Sequence, residues 1–110
     1  MIKSSFFGLM FCLLFSSIGS APTPIEAEGN GVWAHPGDFG KSEAEVEAFF
    51  QVLKKANIRV VVPLVKDTAG YIFWHSRKFP QAIHPEYKDF DLLRAITAVA
   101  PKYKIKVHAW

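Results

Sequence analysis

Side chains able to do chemistry gather where apolar runs of this sequence end. Asp38 follows Gly31-Val32-Trp33-Ala34-His35, and Asp67 follows Asn57-Ile-Arg-Val-Val-Val-Pro-Leu-Val65. From Lys66 to Lys88 the chain is irregular and rich in rings, with Asp67, Gly70, Tyr71, Phe73, Trp74, His75, Arg77, Phe79 and Tyr87. Irregular stretches of such length are usually functional or disordered, and this many aromatics argue against disorder. Such a loop at the carboxyl end of a strand suits a ligand with apolar faces and many hydroxyls. A ring stacks on C–H groups, while Asp, His and Arg exchange hydrogen bonds with the polar edge. The competing reading is that Tyr71, Phe73 and Phe79 only bury the loop against the rim of the sheet. His35 and His108 both stand near strand ends, where a metal is conceivable. Two histidines without a third ligand favour instead a polar or hydrogen-bonding role, so neither a metal nor another cofactor is expected.

Three strand-like segments position these groups. The central one, Asn57 to Val65, is nearly continuous in Val, Ile and Leu, the pattern of a parallel strand buried on both faces. Asn30 to His35 and Lys104 to Trp110 flank it, each separated from it by one helical segment, giving β-α-β-α-β. In the last strand Ile105, Val107 and Ala109 alternate with Lys106, His108 and Trp110. If helices cover the first set in a closed barrel, Lys106, His108 and Trp110 point inward, the last two near the mouth.

The first helix announces its start in Ser42-Glu43-Ala44-Glu45, a capping box in which the Ser42 hydroxyl accepts from the Glu45 amide and the Glu45 carboxylate from the Ser42 amide. Glu43, Glu45 and Glu47 complement the positive end of the helix dipole, and Lys54-Lys55 the negative end. These glutamates are read as a solvated capping face, not as catalysts. Val46, Phe49, Phe50 and Leu53 form the buried stripe, and Asn57 closes the helix in a left-handed conformation. The second helix is expected over Asp89 to Ala100, capped by Asp89 or Asp91, with Leu92, Leu93, Ile96 and Val99 inward and Pro101 ending it. The Pro36-Gly37 pair is read as a turn handing the first strand to a loop.

The 110 residues, 50% hydrophobic and 15% aromatic, suffice for one small core. A net charge of +3, with no basic block longer than Lys54-Lys55, speaks against nucleic-acid binding. Met1 to Ala21 reads as a secretory signal, with Lys3, an apolar block from Phe6 to Phe15 and small residues after it. That block is too short for a lasting membrane anchor. The expected location is secreted or periplasmic, free of the membrane once the signal is removed. Residues 22–29, with Pro22, Pro24, Glu26 and Glu28, read as a linker, and residues 30–110 as the folded part. Cys12, the only cysteine, follows the bulky Phe11 and does not suit lipid attachment. The mature chain then has no disulfide and no cysteine metal site.

Gly31-Val32-Trp33, Gly70-Tyr71-Ile72-Phe73-Trp74-His75-Ser76 and Phe90-Asp91-Leu92-Leu93, leading to Lys106-Val107-His108-Ala109-Trp110, together resemble the beginning of the family-10-like glycosyl hydrolases. These are secreted bacterial (β/α)8-barrel proteins with a Gly-Val-Trp opening, a Gly-x-x-x-Tyr-x-Ser-like loop and a His-Ala-Trp strand in that order. The resemblance spans about Asn30 to Trp110. It departs at Trp74, where tyrosine is common, and at Pro101-Lys-Tyr, which stands where a glycine-containing turn is usual.

The resemblance implies a partial (β/α)8 TIM barrel and hydrolysis of glycosidic bonds in a polysaccharide or glycan. A whole barrel takes about 250 residues, so the chain is expected to be the N-terminal portion of a longer enzyme. Glycosidic hydrolysis takes two carboxyl groups. They are expected in the remaining portion, leaving the catalytic residues unknown and this chain inactive alone. Substrate contacts are expected from Trp33, His35, Asp67, Tyr71, His108 and Trp110, with Asp67 binding a sugar hydroxyl or capping its loop. The alternative is a non-catalytic glycan-binding or surface protein that uses the same aromatics for stacking. Neither reading fixes an oligomeric state.

Overall fold

The computed structural model describes residues 29–110, an α/β unit built on one three-stranded parallel sheet. The signal expected over residues 1–21 lies outside the described residues, as does the linker up to residue 28. The strands are β1 (Asn30–Ala34), β2 (Ile58–Pro63) and β3 (Lys106–Val107), neighbours in chain order. Helices α1 (Pro36–Phe39) and α2 (Glu43–Lys55) join β1 to β2, and α3 (Leu92–Val99) precedes β3.

Strand register assigns the two faces. Val32 pairs with Val61 and Val61 with Val107, while Gly31 pairs with Val60 and Val60 with Lys106. Residues paired across a parallel sheet share a face, and faces alternate along each strand. The Val61 side lies under the helices and Val61 is fully buried there. On the opposite side Trp33 is 73% exposed and Val60 and Val62 are only half-buried. The central strand was expected to be buried on both faces; it is buried on one, because among the described residues no layer covers the other.

The covered face packs on Val46, Phe50 and Leu53 of α2 and on Leu92, Ala95, Ile96 and Val99 of α3, in one cluster with Val61, Ala34 and Ile105. Phe39 from α1 joins it, edge-on to Phe49 at 4.9 Å between ring centroids. Each large apolar side chain buried this completely contributes about 1.5–3 kcal/mol. Leu93, expected inward, is half-buried, and Ala95 takes the inner position.

Several local expectations are corrected. Pro36-Gly37 opens the short helix α1 instead of a loop, with the Asp38 carboxylate accepting from the His35 amide at 2.7 Å. Proline suits a first helical position, where no N–H is needed. Ser42 Oγ accepts from the Glu45 amide (3.2 Å), but the Glu45 carboxylate accepts from the Lys41 amide (2.8 Å) and the Ser42 hydroxyl (3.0 Å). These donors, the Lys41 amide foremost, hold the Glu45 carboxyl below its ordinary value. The chain can turn this closely because Gly40 has φ 82°; a Cβ there would meet Glu45 at 2.6 Å. Asp91, not Asp89, caps α3, accepting from the Arg94 amide at 3.2 Å. Pro101 does not stop the helical run, which tightens into a 3-10 turn over Ala100–Tyr103. A proline at the second position of that turn needs no donor. Lys104, expected to start the last strand, instead closes this turn in the left-handed region (φ 54°), as Asn57 (φ 57°) closes α2. Sheet hydrogen bonding continues past β3, with His108 and Trp110 amides donating to Val61 and Pro63 carbonyls.

The 3-10 turn is tied to α2 by Tyr103, whose hydroxyl donates to Glu47 at 2.6 Å, and by the Lys102–Glu47 ion pair at 3.4 Å. The Tyr103 hydroxyl holds the Glu47 carboxyl below its ordinary value, and the same bond raises the Tyr103 pKa.

Ser42→Ala is expected to lower stability by about 1 kcal/mol, the usual cost of losing a helix N-cap, read as a shifted urea midpoint. The Glu47–Tyr103 bond adds a pH signature. Glu47, with its folded pKa lowered, contributes stability above its unfolded value that is lost as pH falls through the folded one. Tyr103, with its folded pKa raised, contributes below its unfolded value and loses it as pH rises through the folded one. Tyr103→Phe should therefore reduce the fall in melting temperature on both the acid and the alkaline side relative to the parent; an unaltered profile counts against the coupling.

Candidate functional site

The carboxyl ends of the strands carry a cleft of about 460 Å³ lined by His35, Leu64, Lys66, Asp67, Thr68 and Trp110. Its walls follow from the fold. His35 is where β1 gives way to α1, while Leu64 to Thr68 leave β2. Trp110 is fixed by a pair of backbone bonds, its amide to the Pro63 carbonyl (3.0 Å) and the Val65 amide to its own carbonyl (2.8 Å). Beside the cleft the Trp33 and Trp110 rings lie next to each other, tilted by 46° with centroids 6.4 Å apart. They are 73% and 61% exposed, so both rings keep most of their surface free.

Asp67 is half committed. Its Oδ1 accepts from the Tyr71 amide at 2.8 Å, its backbone amide donates to the Tyr71 carbonyl at 2.9 Å, and its carbonyl accepts from Gly70 at 3.2 Å. This closes a tight loop over residues 67–71, with Gly70 at φ 95° supplying the reversal. Asp67 lines the cleft, and its second oxygen, Oδ2, has no hydrogen bond to a described residue.

Of the six side chains expected at the substrate end, His35, Asp67 and Trp110 share this cleft and Trp33 adjoins it through Trp110. His108 is exposed on the segment that carries Trp110, its amide held by Val61. Tyr71 stands apart, its ring edge-on to His84 at 5.2 Å. Leu64, Lys66 and Thr68 were not singled out from the sequence, although they flank Asp67 in the same departure from β2.

The long loop is more ordered than its composition announces. Ile72 bridges Lys66 on one side and Ile83 on the other, and 3-10 turns form at Pro80–Ala82 and Pro85–Tyr87. Of Tyr71, Phe73 and Phe79, Phe73 alone is buried against the rim, Tyr71 and Phe79 being exposed, and Tyr87 is buried beside it. His84 is stacked on Phe73 (22°, 5.2 Å) and its Nδ1 accepts from the Glu86 amide at 3.2 Å, while His75 Nε2 donates to the Tyr87 carbonyl at 2.8 Å. Burial, followed by the nearby Glu86 and Glu45 carboxylates, pushes the Tyr87 hydroxyl up. Lys41 reaches this turn from the other side of the chain, pairing with Glu86 at 3.2 Å.

Neither carboxylate that follows a strand has a partner acid in the cleft. Asp38 is occupied with the His35 amide, and Asp67 is the only acid lining the cleft among the described residues. No group of three or more His, Cys, Asp or Glu side chains is gathered to hold a metal ion among the described residues.

Asp67→Ala should release the 67–71 loop and speed hydrogen exchange at the Tyr71 amide, at a cost of about 1 kcal/mol for the lost bond. Asp67→Asn keeps an acceptor at Oδ1 and should leave that exchange near the parent rate. Equal exchange in both variants is the contrary result. Comparisons with protein-family models, curated proteins and solved structures return no match to this chain.

Proposed function

We propose that this chain is the opening sector of a (β/α)8 barrel of the glycoside-hydrolase type, and that the cleft at the carboxyl ends of its strands binds a sugar of a polysaccharide or glycan. The observation carrying this reading is the exposed Trp33–Trp110 pair beside a cleft that also holds His35 and a half-free Asp67. In barrel enzymes this end of the sheet carries the site. An aromatic pair with free faces suits the C–H face of a pyranose, and the imidazole and carboxylate suit its hydroxyls. The consecutive parallel order β1-β2-β3, with helices on one face, supports the barrel reading. Under this reading the protein is exported by its N-terminal signal, and the acid and nucleophile of glycosidic hydrolysis come from strands beyond the described ones.

A second reading, glycan binding without chemistry, is favoured by one feature: a single acid in the cleft. Hydrolysis takes two carboxyl groups about 5–9.5 Å apart, according to mechanism. The two readings agree for the chain by itself, which should bind oligosaccharide weakly and turn none over. They part in a longer reading frame, where paired Asp or Glu at later strand ends favour the enzyme.

Titrating the chain with a panel of neutral oligosaccharides while following tryptophan fluorescence should give a saturable change. Trp110→Ala should weaken binding by about 1–2 kcal/mol, roughly tenfold, without loss of secondary structure. Absence of binding to every member, or measurable turnover by the chain alone, overturns the proposal as stated.

A further inference from the structure

At the opposite end of the sheet lies a second hollow, of about 250 Å³, lined by Lys54, Asn57, Ile58, Arg59 and Lys104. Its charged members are all cations. They arrive from three elements: Lys54 from the last turn of α2, Arg59 from β2, and Lys104 from the end of the 3-10 turn before β3. Among the described residues no acid lines this hollow, and the ion pairs there engage other lysines, Lys41 with Glu86 and Lys102 with Glu47. Lys54 donates one proton to the Tyr103 carbonyl at 3.2 Å, which holds its ammonium at the rim.

Lys104 is the informative member. It occupies the left-handed region at φ 54°, where a side chain with a Cβ is strained and glycine is the usual choice. Helix-dipole complementation does not call for lysine there, since Lys102 already supplies a cation in the last turn. A backbone held in a sparsely populated region is a pointer to function, and here it carries a third cation to a hollow already lined by Lys54 and Arg59. We propose that this hollow binds a phosphate group, free or carried as a phosphomonoester. Arg59 offers a planar fork of donors and the two lysines offer point charges, a combination that matches a tetrahedral oxyanion. One water occupies about 30 Å³ of liquid, so the hollow has room for the anion and part of its hydration shell. Asn57, also left-handed, adds an amide donor at the edge.

The test is titration of the full chain with inorganic phosphate and, separately, with glycerol 1-phosphate, following backbone amide NMR shifts. Saturable shifts at Asn57, Arg59, Lys104 and Ile105 are expected. Raising salt from about 0.01 M to about 0.15 M, which shortens the Debye length from ~30 Å to ~8 Å, should weaken binding several-fold. Lys104→Gly is the deciding variant. It should lose about tenfold in phosphate affinity, one charge-assisted hydrogen bond, while its melting temperature stays equal or rises because the backbone strain is relieved. Arg59→Gln should show the same loss. Saturation by both ligands points to a carried phosphate, and saturation by the inorganic ion alone to the free one. No saturable shift with either, or unchanged affinity in both variants, overturns the proposal.

Discussion

Everything in this unit depends on three parallel strands lying in register, so that the two-residue alternation of each adds to that of its neighbours. The line Val32, Val61, Val107 makes one face apolar enough for α2 and α3 to bury. The intervening positions then have no choice of side. Gly31, Trp33, Val60, Val62 and Lys106 go to the uncovered face because their neighbours go to the covered one. A slip of one residue in β3 would bring Lys106 under the helices, and burying an ammonium in that apolar layer costs far more than the two ladder positions of β3 return. Register is thus fixed by the core. The arrangement of Trp33 and Trp110 is a consequence of that packing, not a separate construction.

The same constraint explains why the two ends of the sheet differ. At the carboxyl end the chain leaves β2 into a loop held by two short turns, Asp67 over Tyr71 and His84 over Glu86, and by His75 reaching across it to the Tyr87 carbonyl. Burying Phe73 and Tyr87 anchors that loop to the core, which frees its departure segment, Leu64 to Thr68, to wall a cleft. At the amino end the chain arrives from helix termini, and two left-handed residues, Asn57 and Lys104, make the corners. Corners of this kind are compact and bring side chains from several elements together. One end is therefore built from an extended loop on aromatic anchors and the other from tight caps, and the chemistry each can present differs accordingly.

Much of this was legible in the sequence because it is written in local, periodic signals. The capping serine, the Val46–Phe50–Leu53 stripe, the left-handed Asn57 and the sequence of three parallel strands with intervening helices all follow from spacing. The helical turn at Pro36 was missed because Pro-Gly reads as a break, and nothing local reveals that Asp38 would cap its own turn. The central strand looked buried on both faces because a continuous valine run says only that both sides are apolar. Whether anything covers the second side is a tertiary fact. The cleft residues were partly legible, since His35, Asp67 and Trp110 all stand at strand ends. Tyr71 does not line the cleft because the Asp67 turn carries its ring toward His84 further along the same loop, a contact that no local pattern announces.

Acid availability narrows what the carboxyl-end cleft can do unaided. Asp38 begins as an attractive candidate, directly after a strand. Its carboxylate instead accepts from the His35 amide at 2.7 Å, and freeing it would expose the first turn of α1, whose burial of Phe39 supports Phe49 and Phe50. A carboxylate bound into the frame in this way is committed to the backbone of its own turn. Asp67 keeps one oxygen for a ligand but has no companion close enough to share work. The cleft therefore offers aromatic surface and one carboxylate among the described residues, without the second carboxyl group that cleavage of a glycosidic bond requires. Under the proposed barrel reading, substrate contact at Trp33 and Trp110 and catalysis by acids on other strands would be divided along the sheet.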